Sequence, residues 1–314
     1  MNAILLSGSA HPELAGAVAL QLGLQPGTRT LERFPDGELC VVVEEPVRGA
    51  DVYLLQPLSP PADAHLLELL FLADACRRGG AERVTAVVPY LAWARQDRRR
   101  SDGEPHGARL SADLLSLRVD RVLAVDVHGA AAEGYFSVPL DHLTAIPLLA
   151  AAVSRAAPKD AVVVAPDLGA AKRAEAYGRL LGLPSAIVLK ARLSAREVEV
   201  RGVAGEVAGL APIIVDDMIS TGATIEAAVR TLLEAGCRPE IVVAATHPLF
   251  TAGAAERLAR LPLARVIVTD ALPPPPTPGL TTEIVSLAPL LAEAIRRLRE
   301  HGTLADLTPF ARPR

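Results

Sequence analysis

Short runs of valine, isoleucine and leucine alternate along the chain with longer segments whose apolar residues recur at intervals of three and four. "AILL" (3–6), "DVYLLQ" (51–56), "RVTAVVPY" (83–90), "RVLAVDV" (121–127), "AVVVAP" (161–166), "SAIVL" (185–189), "PIIVDD" (212–217), "EIVVAAT" (240–246) and "RVIVTD" (265–270) read as strands. Residues 63–78, 105–117, 170–182 and 223–236 read as amphipathic helices between them. The rhythm specifies an α/β fold with a mainly parallel sheet. Strands that are apolar on both faces require helices on both sides.

The pattern occurs twice. "AILLSGSAHPELAGAVALQLGLQ" is echoed by "AVVVAPDLGAAKRAEAYGRLLGLP", "DVYLLQPLSPPADAHLLELL" by "PIIVDDMISTGATIEAAV", and "RVLAVDVH" by "RVIVTDAL", in the same order. Such internal similarity points to a duplication. It predicts two similar domains, at 1–145 and 146–287, with a C-terminal helix over about 288–314 packing on the first. The plainer reading is that any two α/β halves share this rhythm. The copies also differ. The second half carries "VDDMISTGAT" where the first has "LQPLSPPADA", and the first carries "PYLAWARQDRRR" where the second has "THPLFTAGAAER". Each half is therefore expected to hold a different ligand.

Composition sets the surroundings. With 314 residues, half of them hydrophobic, the chain can bury two cores. A formal net charge of -4 gives no overall basic field for nucleic acid or membrane, so an anionic ligand must be met by local arginine clusters. Cys40, Cys76 and Cys237 are far apart without metal-type spacing, as expected of reduced packing thiols placed in apolar helices or strands. No stretch reaches the ~18 unbroken apolar residues of a membrane helix, and the N-terminus lacks a signal-peptide pattern. A soluble cytoplasmic protein is expected. The "PPPPTPG" stretch at 273–279 reads as a stiff connection.

At 213–224, "IIVDDMISTGAT" puts two carboxylates at the end of an apolar strand and a small hydroxyl-rich loop at the start of a helix. A helix start offers N–H groups and positive dipole to a phosphate, and the carboxylates suit the vicinal hydroxyls of a ribose, directly or through magnesium. Ser220 or Thr221 acting only as a helix cap beside a solvated acid pair is the plainer alternative. The GxxxxGK[ST] spacing of a Walker loop is absent.

This stretch resembles the phosphoribosyl-pyrophosphate loop of type I phosphoribosyltransferases. "RFPDGE" (33–38), "VVPYLAWARQDRR" (87–99), "DVHGAAAEGYFSVPLDHL" (126–143) and "VVVAPDLGAAKRA" (162–174) resemble, in order, the signatures of the ribose-phosphate diphosphokinase family, also called phosphoribosyl pyrophosphate synthetase. The resemblance implies transfer of the β,γ-diphosphoryl group of ATP to the C1 hydroxyl of ribose 5-phosphate, with magnesium, by two phosphoribosyltransferase-like domains. It implies ATP binding by Phe34, Asp36, Gly37 and Glu38 and by Arg95, Gln96, Asp97 and Arg98. It assigns magnesium to His128 and Asp167, with Asp126 and Asp141 behind them. A pyrophosphate loop follows at Asp167, Gly169 and Ala170, and the ribose 5-phosphate site comprises Arg192, Asp216, Asp217, Ser220, Thr221, Gly222, Ala223 and Thr224. Lys190 and Arg192 begin a catalytic loop as cations that stabilise developing charge. A homo-oligomer built from dimers, commonly a hexamer, completes the nucleotide pocket.

Several positions depart from the family pattern. Ala170 and Ala223 replace glycines, Ser220 replaces an acid, and Ala191 interrupts a Lys-Arg-Arg run. The glutamine usual after the histidine is missing, and "RRRSDGEPHGARL" replaces a more basic, serine-containing stretch linked to phosphate activation and ADP inhibition. These losses leave room for a non-catalytic regulatory paralogue that binds phosphoribosyl ligands or an active homologue. An ordinary phosphoribosyltransferase acting on a nucleobase would not need the duplication or the ATP-side motifs.

Overall fold

The computed structural model describes residues 2–99, 101–192, 198–251 and 253–309, with the side chains of 130, 190–192 and 198–201 outside the description. Two compact units emerge: 1–144 with 271–273 and 286–314, and 145–270 with 274–285.

The first unit begins with β1 (Ala3–Ser7), α1 (Pro12–Leu22) and a hairpin of β2 (Arg29–Arg33) and β3 (Leu39–Val43). It continues through β4 (Asp51–Leu55), α2 (Ala62–Arg78), β5 (Arg83–Val88), α3 (Gly107–Ser116), β6 (Arg121–Val125) and β7 (Leu140–Leu143). The second unit runs through α4 (Ile146–Ala156), β8 (Ala161–Ala165), α5 (Ala171–Leu181), β9 (Ser185–Arg192), β10 (Val198–Ala204) and β11 (Ala211–Ile219). It closes with α6 (Ala223–Glu234), β12 (Ile241–Pro248), α7 (Ala254–Leu258), β13 (Leu263–Thr269) and β14 (Thr282–Val285). The chain then returns to the first unit as α8 (Ala288–Arg299).

The two sheets are ordered β1-β4-β5-β6-β7 and β10-β9-β8-β11-β12-β13-β14. Apart from the antiparallel β9–β10 pair, every pairing in them is parallel. Remove β9 and β10, and both have the same order with helices at the same points. The register agrees as well, Ala3 opposite Asp51 in one half and Ala161 opposite Ala211 in the other. Both first helices stop at a glycine in the left-handed conformation, Gly23 (φ 66) and Gly182 (φ 67), where a side chain would be strained. The chain is thus two similar phosphoribosyltransferase-like α/β domains, as the duplicated sequence predicts. Every residue of β1, β4, β8 and β12 is buried, which is why these strands read as unbroken apolar runs.

Local differences from the sequence reading have local causes. The C-terminal helix stops at Arg299, well short of 314. His301 adopts φ 57 and the Gly302 N–H turns back to the Arg297 carbonyl, ending the helix in a left-handed cap. The hairpin β2–β3 leaves its residues half-buried or exposed; β2, written RTLER, carries no apolar signal, whereas β3 is the apolar run LCVVV. All three cysteines are free. Burial pushes the Cys76 thiol up to about 12 and raises that of Cys237, as suits packing thiols, although Cys237 follows α6 in a connection instead of lying within an element.

The matched register makes Gln56 the counterpart of Asp216, each five residues beyond the first paired position of its strand. In the first half the loop after β1 is closed by the protein's own side chains. The buried Glu68 carboxylate accepts from the Ser9 N–H (2.6 Å), the Ser9 hydroxyl (2.7 Å) and the Gln56 amide (2.6 Å), and Gln56 accepts from the Ala10 N–H (3.0 Å). A Cβ at Gly8 would lie 2.2 Å from the Gln56 Oε1. An internal carboxylate therefore fills the place that the second half keeps open. Replacing it leaves the buried Gln56 amide and two part-buried Ser9 donors without this acceptor, so Glu68→Ala is expected to lower stability by about 1–3 kcal/mol, read as a fall in the urea midpoint at unchanged m-value.

Candidate active site

In the second unit, β8 and β11 are adjacent parallel strands, and the loops at their carboxyl ends emerge side by side, where open α/β sheets bind ligands. From β11 come Asp216 and Asp217, with the Asp217 N–H donating to Asp216 Oδ1 at 2.9 Å. Burial, then the charge of Asp217, push the Asp216 carboxyl up to about 8, with Asp167 adding to the effect and Arg173 and the Asp217 N–H opposing it. Asp167, Arg173, Asp216 and Asp217 thus form one electrostatic cluster.

Beyond β11 the chain turns at Gly222 (φ 74, ψ -5), where a Cβ would sit 3.1 Å from Leu258 Cγ. Glycine is required there on both counts. The turn is pinned from below by the N–H groups of Phe250 and Thr251, which donate to the carbonyls of Ile219 and Ser220. The N-cap of α6 is Gly222, and neither Ser220 nor Thr221 takes that position. Thr221 Oγ1 reaches only the Ala223 N–H, at 3.4 Å. The first-turn N–H groups of a helix have no intrahelical partner. At α6 they surround an exposed Thr221 and Ala223 and a half-buried Thr224, a ready seat for a phosphate.

After β8, Asp167 opens a single 3-10 turn over Leu168–Ala170, its Oδ1 accepting from the Gly169 N–H at 2.9 Å. A Cβ at Gly169 would come within 3.1 Å of that oxygen, so the glycine lets the carboxylate lie against the loop. Ala170 is buried at φ -89, ψ 1, and Ala223 is the first residue of α6. Both alanines that replace family glycines stand in right-handed backbone that a methyl group tolerates. Lys190 and Arg192 are the sixth and last residues of β9, paired with Val200 and Val198 of β10. The stretch read as a catalytic loop therefore starts as a strand; the side chains of Lys190 and Arg192, and residues 193–197, lie outside the described residues.

In the first unit the tip between β2 and β3 is a tight turn. Phe34 N–H donates to the Glu38 carbonyl (2.9 Å), Gly37 N–H to the Phe34 carbonyl (2.8 Å), and Glu38 N–H to Asp36 Oδ1 (3.0 Å), with Gly37 at φ 92. The turn leaves the Phe34 ring half-exposed, together with the carboxylates of Asp36 and Glu38.

The segment after β5 carries Arg95, Gln96 and Arg98 exposed and Asp97 half-buried. It bends at Trp93 (φ 59), and the Gln96 N–H closes the turn onto the Trp93 carbonyl at 2.8 Å. Two features missed in the sequence hold it. Gly107, the first residue of α3, leaves room for Gln96, whose Oε1 would be 2.3 Å from any Cβ there, and the Tyr135 hydroxyl donates to the Asp97 carbonyl at 2.9 Å. Neither residue carries a periodic or charge signal that could have marked it.

His128 follows β6 and is exposed. The turn bearing it is built on Asp126, a non-glycine residue at φ 41, whose carboxylate accepts from the Thr144 hydroxyl at 2.9 Å. His142 Nε2 accepts from the Val127 N–H at 2.8 Å. Such a conformation persists only when its surroundings impose it. Asp126 thus supports the turn, whereas Asp141 is engaged by Arg121 at 2.5 Å. Among the described residues no group of three histidine, cysteine or acidic side chains converges on one point, and no helix is long and apolar enough to cross a membrane.

Comparison with known proteins places these loops in a family. The profile of the N-terminal domain of ribose phosphate pyrophosphokinase matches residues 3–117, and that of the phosphoribosyl synthetase-associated domain matches 188–308. The chain is 44% identical over 308 residues to ribose-phosphate pyrophosphokinase of Gloeobacter violaceus, covering 96% of this chain and 92% of that one. It is 42% identical over 308 residues to the enzyme of the same name from Rhodopirellula baltica, covering 96% and 97%. The crystal structure of phosphoribosylpyrophosphate synthetase from Mycobacterium smegmatis is similar at a TM-score of 0.87 and 39% identity, over 96% of this chain and all of that one. The chain belongs to the ribose-phosphate pyrophosphokinase family.

Proposed function

We propose that the protein is a ribose-phosphate diphosphokinase, acting on ATP and ribose 5-phosphate. The carrying observation is 44% identity over 96% of the chain to a ribose-phosphate pyrophosphokinase, too long a match to be confined to one half. In the reaction the C1 hydroxyl oxygen bonds to the β-phosphorus of ATP. The bond from that phosphorus to the oxygen bridging to the α-phosphorus breaks, AMP leaves with the bonding electrons, and the hydroxyl proton passes to water. Little covalent chemistry is asked of the protein in phosphoryl transfer, whose catalysis is positioning and charge stabilisation.

The α6 start, with Ser220, Thr221, Gly222, Ala223 and Thr224, takes the 5-phosphate, and Asp216 and Asp217 accept from the ribose hydroxyls. Phe34, Asp36, Gly37 and Glu38 hold the adenine side, and Arg95, Gln96, Asp97 and Arg98 hold the triphosphate, where planar guanidinium forks match phosphate oxygens. Lys190 and Arg192 stabilise charge on the transferred group. Magnesium is the cation we assign to His128 and Asp167. An exposed histidine and a carboxylate with a second oxygen suit an ion that keeps several waters and takes few protein ligands. When bound it neutralises charge on the polyphosphate. We further expect a cytoplasmic homo-oligomer built from dimers.

The regulatory-paralogue reading is not favoured. His128, Asp167, Lys190, Arg192, Asp216 and Asp217 all survive together, and the alanines at 170 and 223 occupy backbone that accepts them.

The direct test is incubation with ATP, magnesium and ribose 5-phosphate: AMP is expected to form only when the sugar is present, and its absence while both ligands still bind would refute the reading. Lys190→Ala is expected to lower kcat about 10²–10³-fold with little change in the ATP dissociation constant. The Asp216 carboxyl gives a separate expectation for the metal- and ligand-free protein. Its folded pKa is raised, so its contribution is full below about pH 4 and is lost as pH rises towards 8. The thermal midpoint of the wild type should fall across that window, and Asp216→Asn should flatten the fall; parallel profiles for the two proteins would contradict it.

A further inference from the structure

The geometry points to Tyr135 as a positioning residue that latches the nucleotide loop to the segment bearing His128, an inference that rests on the nucleotide reading of residues 95–98. Tyr135 ends the 3-10 helix over Ala130–Tyr135, which starts directly after His128 and Gly129. Its hydroxyl donates to the Asp97 carbonyl at 2.9 Å, joining residues 38 positions apart in sequence. The ring is steadied from the other side by His106, edge-on at 4.9 Å between centroids and 76° between planes.

His106 is also the N-cap of α3, its Nδ1 accepting from the Arg109 N–H at 3.3 Å, and the next residue, Gly107, is the one packed against Gln96. The loop is thus gripped at two successive residues, Gln96 by the start of α3 and Asp97 by Tyr135. On the far side Gly129, at φ 88, faces the Asp97 carboxylate, whose Oδ2 would lie 3.7 Å from a Cβ there. Arg98 Nε donates to the same carboxylate through Oδ1 at 3.2 Å. Asp97 therefore lies between the arginines taken to bind triphosphate and the backbone next to His128, and the tyrosine fixes its main chain.

The consequence is coupling. An ion that orders the His128 segment also orders the 3-10 helix, hence the tyrosine, hence the loop that receives the nucleotide. By linkage the effect is reciprocal, so nucleotide tightens the ion by the same factor. A hydrogen bond between neutral groups is modest in stability, and its loss at a half-exposed site leaves Asp97 accessible to water, so the fold survives its removal.

Tyr135→Phe keeps the ring and its contact with His106 and removes one hydroxyl. In the ligand-free full-length protein, hydrogen exchange over residues 95–99 should quicken in the variant. Binding of α,β-methylene-ATP by calorimetry in the presence of magnesium should weaken about three- to tenfold, ribose 5-phosphate affinity should stay unchanged, and the gain in nucleotide affinity on adding metal should shrink. Unchanged exchange, unchanged analogue affinity, or an equal loss for both substrates would each overturn the latch. If the wild type itself bound no analogue, the nucleotide reading would fall and the latch's role with it. The exchange arm would still decide whether the tether holds the loop.

Discussion

In each half the first strand pairs in parallel with the strand that follows the hairpin, Ala3 against Asp51 and Ala161 against Ala211. That ladder decides where the loops emerge. Because both pairs share one register, the same two turns appear at the carboxyl ends of both sheets: one after the first strand, one before the second crossover helix. Parallel strands need helical crossovers, so each such turn opens onto a helix start, whose first N–H groups have no intrahelical partner. Anion-binding capacity is therefore a by-product of the topology, available twice. What the sequence decides is which copy stays open.

The decision turns on a few side chains. In the first half Glu68 brings its own carboxylate into the turn, and Gln56 stands where the second half has Asp216, so donors that a phosphate could use are already satisfied. In the second half the corresponding strand end carries two acids, and their proximity together with burial makes the Asp216 charge costly. A buried acid beside a like charge is poorly placed for stability alone. On the proposed reading it is better placed for a ligand, whose hydroxyls would supply donors to the carboxylate oxygens. One copy of the turn has become structure, and the other has kept two adjacent acids at its strand end.

Legibility of the fold followed burial. The strands that the sequence revealed, such as β4, β8 and β12, are buried at every position, and a strand covered on both faces must be written as an unbroken apolar run. β2 was hidden because "RTLER" sits in a two-stranded sheet with partly exposed faces, and β10 lies at the edge of its sheet. Family motifs pointed to Arg95, Gln96, His128, Asp167 and the 216–224 loop as candidates. They could not indicate what holds those residues. Tyr135, Gly107 and Thr144 act through a hydroxyl, a missing Cβ and a second hydroxyl, each reaching across 11 to 38 positions of sequence that only the folded chain brings together.

The glycine replacements show how motif and physics separate. A motif that pairs two glycines invites the inference that both are needed for left-handed backbone. In the 220–224 loop only Gly222 takes such a conformation, and Leu258 beneath it excludes a side chain as well. Ala223 already lies in the helix, where alanine costs about 1 kcal/mol less than glycine. In the 167–170 turn Gly169 serves close approach of the Asp167 carboxylate, and Ala170 is free to be buried. The substitutions thus stiffen helix starts without removing a donor, because the N–H groups that would meet a phosphate belong to the backbone and survive the change of side chain.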